Sequence, residues 1–178
     1  MSSANGAPLV FCGTAWVFGD EVNTDDMFPG FAMKLPTAEA AQHMFDATRP
    51  DWPTLVAPGD IVVAGRNFGL GSSRPVAELF VELGVSCLVA EQYNSLFLRN
   101  CLNYGLPAVT IPDARSFISE GDVVEIDVRA GRLRNSSSAT EHSFSGFSDF
   151  ILEMLRSQGL INQLEAGGYL RTSHTRST

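Results

Sequence analysis

Gly65-Arg66-Asn67-Phe68-Gly69-Leu70-Gly71-Ser72-Ser73-Arg74 follows the short apolar run Asp60 to Ala64 and opens directly into Pro75-Val76-Ala77-Glu78-Leu79-Phe80-Val81-Glu82-Leu83. The spacing predicts a buried strand, a flexible turn and a helix. Proline suits the first helical turn, where its missing N–H has no intrahelical partner anyway, and Gly84 supplies the stop. Downstream the pattern repeats: a strand over Ser86 to Ala90, a helix capped by Asn94 and running through Leu102, terminators at Gly105 and Pro107, and a strand over Ala108 to Ile111. This β-loop-α-β-α-β rhythm predicts parallel strands joined by crossover helices.

The flanks differ from this centre. Leu9 to Phe18 is β-rich and runs into a long loop carrying Asn23-Thr24-Asp25-Asp26 and Pro29-Gly30, and a helix capped by Thr37 is expected through Phe45. Asp122 to Val128, Gly131 to Leu133 and Glu141 to Phe144 predict small antiparallel strands, followed by a helix from Ser148 to Ser157 that Gly159 stops. The chain of 178 residues suits a single domain over residues 1–170, with a frayed polar tail at 171–178.

Twelve Lys and Arg against twenty Asp and Glu give a net charge of -8, so a nucleic-acid backbone would be repelled and nucleic acid is not expected as a partner. No apolar stretch approaches the roughly 18 residues of a membrane span, so no membrane partner is expected either. Cys12, Cys87 and Cys101 are too few and too scattered for a structural zinc site or a cluster held by this chain alone. With no basic leader, they predict free thiols or small buried hydrophobes in a reducing, cytoplasmic setting. His43, His142 and His174, assigned to a helix, a loop and the tail, have no i,i+4 partner, so no metal site is expected. Phe144, Phe147 and Phe150 are expected in core packing, with a surface that meets a partner as the alternative.

The glycine loop combines close backbone approach, two hydroxyls at a helix start and the planar donor fork of Arg74, which together suit an oxyanion. It is neither a P-loop, which needs Lys before Ser or Thr, nor a dinucleotide fingerprint, since Arg74 stands where a third glycine belongs. By composition alone, a glycine-rich turn with a capping serine is the simpler reading.

The whole string, Gly-x-Asn-Phe-Gly-x-Gly-Ser-Ser-Arg, closely resembles the signature of the aconitase superfamily, and more closely the small subunits of isopropylmalate-isomerase-type dehydratases. Gly19-Asp20-Glu21-Val22-Asn23-Thr24-Asp25 and Arg99-Asn100-Cys101-Leu102-Asn103-Tyr104-Gly105-Leu106-Pro107 resemble two further motifs of the same family, in the same order. The resemblance implies a swivelling β/β/α domain, an α/β fold with a mixed sheet and crossover helices. It implies a partner, a larger subunit that carries a 4Fe-4S cluster, and a substrate that is a hydroxy dicarboxylic acid of the substituted-malate type, 3-isopropylmalate or a related alkylmalate. By match to the motifs, Ser72 would be the catalytic base and Asp25 would orient or charge a histidine across the subunit junction. Ser73 and Arg74, with Thr24, would hold substrate carboxylate, and Asn67, Gly69 and Gly71 would shape the loop.

Two departures bear on substrate. Where the family usually has Arg after Pro-Gly, this chain has Phe31, with Met33 and Lys34 following; Phe31 and Met33 would therefore face the substrate's side group and one charged contact is lost. The Glu-His that commonly follows Gly-Ser-Ser-Arg is replaced by Pro75-Val76. A catalytically degenerate anion-binding or regulatory subunit of the same fold is the competing expectation.

Overall fold

Residues 9–71 and 74–169 are described by a computed structural model of the chain; Ser72, Ser73 and the tail from 170 onward lie outside the described residues. Val10–Val17 forms β1, which pairs in parallel with β2 (Ile61–Ala64). Between them lie α1 (Thr24–Met27), a 3-10 turn at Gly30–Lys34, α2 (Thr37–Ala41) and α3 (Trp52–Leu55). From β2 the chain crosses over through α4 (Val76–Glu82) to β3 (Cys87–Ala90), and through α5 (Ser95–Asn103) to β4 (Ala108–Thr110); both new pairings are parallel. A 3-10 turn at Ala114–Ser116 leads to the antiparallel strands β5 (Val123–Asp127), β6 (Arg132–Asn135) and β7 (Thr140–Ser143), then to α6 (Asp149–Arg156) and α7 (Leu160–Ala166).

All seven strands join in one mixed sheet of order β4-β3-β2-β1-β5-β6-β7, with β1 the hinge between a parallel and an antiparallel half. Two apolar cores cover its faces. One gathers Phe18, Phe45, Trp52 and Phe80 with Val62 and Leu88; the other packs Ile61, Val63, Val89 and Ile126 beneath Leu152 and Leu155 of α6. Every position of β2 and β3 is buried, as strands covered on both faces require.

The sequence pattern and the fold part company in several places. The loop after β1 contains α1, because Asn23 caps it by accepting the Asp26 N–H at 2.8 Å while Asp25 and Asp26 complement the helix start. Thr37 is not a cap: its hydroxyl donates to Glu78 at 3.1 Å, tying α2 to α4, and the helix ends at Ala41 rather than reaching Phe45. Phe45 is instead held at φ 59 and stacks on Phe18 at 4.5 Å, so core packing overrides helix propagation. Gly159 stops α6 as expected but also begins α7, which the pattern missed. Phe150 is 64% exposed and outside the core, whereas Phe144 and Phe147 pack against it. His43 sits in a turn and His142 in β7, not in a helix and a loop.

Candidate functional site at the carboxyl ends of the parallel strands

The carboxyl ends of parallel strands are where an open α/β sheet places its ligands. Here the connections leaving β1, β2 and β3 are zipped together beyond the strands. Glu21 donates its N–H to the Arg66 carbonyl at 2.8 Å, Gly69 to Val22 at 2.9 Å and Thr24 to Leu70 at 2.8 Å. On the other side Phe68 donates to Gln92 and accepts from Asn94, both at 2.9 Å. The glycine loop is thus pinned between two neighbouring connections by isolated parallel bridges, Asn23 to Leu70 and Phe68 to Tyr93.

Its shape needs unusual backbone at three points: Asn67 at φ 56, Gly69 at φ 81 and Gly71 at φ 110. Asparagine tolerates the left-handed region better than most residues, which accounts for Asn67 as a loop-shaping residue. At Gly69 an added Cβ would lie 2.2 Å from the Phe97 ring, so close approach as well as φ demands glycine. Phe68 is fully buried between Tyr93 and Phe97, anchoring the loop in the core. A Cβ on Gly71 would meet the Thr24 hydroxyl at 3.2 Å, so these two positions face one another.

This zipper brings Asp25 and Arg74 together. Nη2 of Arg74 lies 3.0 Å from Oδ1 of Asp25, and Nη1 donates to the Phe28 carbonyl in a short contact. The Arg74 side chain is only 20% exposed, while that of Asp25 is 64% exposed. Both terminal nitrogens of the guanidinium are therefore engaged, one by the Asp25 carboxylate and one by the Phe28 carbonyl. Ser72 and Ser73, the candidate base and its neighbour, lie outside the described residues, directly between Gly71 and Arg74. Phe31 and Met33 are on the 3-10 turn, 57% and 49% exposed, and the Phe31 ring meets His43 edge-on at 5.0 Å.

The motifs left one group unassigned: Asp20, Arg66, Glu91 and Arg115. Nη2 of Arg115 lies 2.5 Å from Asp20 and its Nε 3.1 Å from Glu91, and the hydrogen bond to Glu91 is the chief reason the guanidinium holds its proton even more tightly than usual. A cavity of about 520 Å³ bounded by Asp20, Glu21, Arg66, Asn67 and Gln92 adjoins this group.

Whether this chain could ligate an iron-sulfur cluster is a matter of its donors. Cys87 and Cys101 are buried, and burial pushes both thiols well above their ordinary value, disfavouring the thiolate that a metal needs. Cys12 is exposed on β1, opposite Glu125 of β5. Among the described residues no group of three or more His, Cys, Asp or Glu is placed to hold a metal ion, and no helix among them is long and apolar enough to cross a membrane. The described residues do not fit a cluster.

Comparison with known proteins agrees with the three motifs. The Aconitase C-terminal domain family matches residues 26–114, and the chain belongs to that family. Within it, the chain is of the 3-isopropylmalate dehydratase small-subunit type, a hydro-lyase class. It is 39% identical to 3-isopropylmalate dehydratase small subunit 1 of Thermotoga maritima, over 88% of this chain and 95% of that one. It is also 39% identical to the methanogen homoaconitase small subunit of Methanothermobacter thermautotrophicus, covering 92% of each. The crystal structure of a 3-isopropylmalate dehydratase from Methanocaldococcus jannaschii superposes with a TM-score of 0.84 at 29% identity, over 90% of this chain and 96% of that one.

Proposed function

We propose that this chain is one subunit of a heteromeric dehydratase whose larger partner carries a 4Fe-4S cluster, and that it acts on a substituted-malate hydroxy dicarboxylic acid. The observation that carries the reading is the Asp25–Arg74 pair at 3.0 Å, which joins α1 to the end of the glycine loop beyond the carboxyl ends of β1 and β2. In a chain of net charge -8, a guanidinium held in place by Asp25 and the Phe28 carbonyl is a local attraction for a substrate carboxylate.

Removing a proton α to a carboxylate requires a base beside that carbon and cations or N–H groups on the carboxylate, where charge builds up. Ser72 takes the first role by its place in the motif, as an alkoxide, while Ser73 and Arg74 take the second with Thr24 beside them. The partner's cluster would supply a Lewis acid for the departing hydroxyl. Asp25, besides holding Arg74, is exposed enough to meet a histidine of the partner. Relatives bear the names homoaconitase and, in Methanocaldococcus jannaschii, isopropylmalate/citramalate isomerase, so one scaffold serves several side groups in this family. Phe31 and Met33, exposed on the 3-10 turn where the family usually has a charged contact, supply an apolar surface for that choice.

Co-purification with a large subunit bearing a brown, oxygen-sensitive cluster, followed by a screen of alkyl-substituted malates, tests the reading. The complex should dehydrate at least one of them, and Phe31→Arg should change the order of preference. Assembly without turnover of any hydroxy dicarboxylate would favour a degenerate binding subunit, and an unchanged preference in Phe31→Arg would remove that residue from the specificity surface.

A further inference from the structure

The four parallel strands end in four loops, and each loop sends one charged side chain to a common point: Asp20 after β1, Arg66 after β2, Glu91 after β3 and Arg115 after β4. In the sheet β4 and β1 are separated by β3 and β2, so Arg115 must reach across the end of the sheet to touch Asp20. It does so with its Nη2 at 2.5 Å, while Nε donates to Glu91 at 3.1 Å. Asp20 in turn accepts the backbone N–H of Arg66 at 2.8 Å, at the first turn of the glycine loop. Glu91 is only 9% exposed and depends on Arg115 for most of its compensation, since Arg66 stands 3.9 Å away.

Gly65 lies directly beneath this bridge. A Cβ there would fall 2.0 Å from Oδ1 of Asp20 and 2.6 Å from Cζ of Arg115, so the residue that begins the cradle is a glycine because the ion pair passes over it. From Arg66 the order passes along the zipper to Thr24 and Leu70, and hence to Asp25 and Arg74.

We propose that Arg115 is a positioning residue for the anion cradle: by bridging Asp20 and Glu91 over Gly65 it fixes the register of residues 65–71 against 19–24, and through it the placing of Arg74. The catalytic part of this inference rests on the dehydratase reading above; the structural part does not. Two variants of the full chain test it, Arg115→Ala and the milder Asp20→Asn, the latter deciding alone if the former fails to fold. Amide hydrogen exchange should accelerate by about tenfold or more at Glu21, Thr24, Arg66 and Gly69 in excess of any change at Val124, Ile126 and Leu133. In the complex with the large subunit, KM for the dicarboxylate should rise about tenfold while kcat stays within about threefold, the signature of misplaced ground-state binding. Equal acceleration in both halves of the sheet, or none, would overturn the positioning role. A wild-type complex that turns over no dicarboxylate would contradict the dehydratase reading and leave the exchange result to decide the clamp.

Discussion

The parallel half of the sheet, β1 to β4, and the antiparallel half, β5 to β7, differ in where their polar groups stand. In β2 and β3 every side chain is buried, so polar groups are left to the loops at the carboxyl ends of these strands. In β5 and β6 burial alternates, and charged residues such as Arg132 and Arg134 stand along the strand itself, facing solvent. Four charged side chains from four loops converge at the first end, together with the glycine loop and the Asp25–Arg74 pair. The antiparallel half closes its core and supplies none of the candidate site residues. Covering a sheet on both faces thus concentrates chemistry where the strands stop.

The contrast makes the two halves separable by mutation. Apart from the reacting base, the largest effect expected is on activity: Arg74→Ala in the assembled complex should lower kcat/KM by about 10²–10³-fold, the loss of a charged contact, whereas Arg129→Ala beside Asp149 should change it by less than about twofold. Gly69→Ala combines φ 81 with a Cβ 2.2 Å from Phe97 and should cost about 3 kcal/mol or more in urea unfolding. Gly121→Ala has a similar φ of 87 and no atom within 4 Å, so about 1 kcal/mol is expected; equal costs would mean that the loop is not closely packed.

Asn135→Ala should cost stability alone. Its fully buried amide donates to the Phe117 carbonyl at 2.9 Å and to Asp122 at 2.7 Å, so a loss of about 2 kcal/mol is expected with KM unchanged. The smallest effect concerns pH. Arg49 donates to Glu120 and holds its carboxyl below the ordinary value of 4.5; a depressed folded value contributes stability that is present above the unfolded value and is lost as pH falls through the folded one. Because Glu120 is 45% exposed, Glu120→Gln should flatten the acid limb of the stability curve below about pH 4.5 by only a few tenths of a kcal/mol.

How much of this was written in the sequence depends on range. The strands and crossover helices of the parallel half were legible because glycines, prolines and Asn94 punctuate fully apolar runs. By composition the glycine loop read only as a capped turn, and it was three ordered motifs that pointed to its family. α1 is hidden inside a loop rich in turn residues, and α7 follows a glycine, Gly159, that by itself signals only a helix stop. The clamp of Arg115 was not legible at all. Its partners lie 95 and 24 residues away, and only the strand order brings them to one place. Gly65 carried the one local signal, a glycine with no turn of its own to explain it, and that signal acquires meaning only once the ion pair above it is seen.

The most direct measurement is turnover by the complex of the large subunit with Ser72→Ala, compared with wild type under identical cluster loading. A serine that acts as the base lowers kcat by about 10²–10⁴-fold while the subunits still associate and the substrate still binds. Full activity in that variant would contradict the placement of the reacting base on the loop between Gly71 and Arg74.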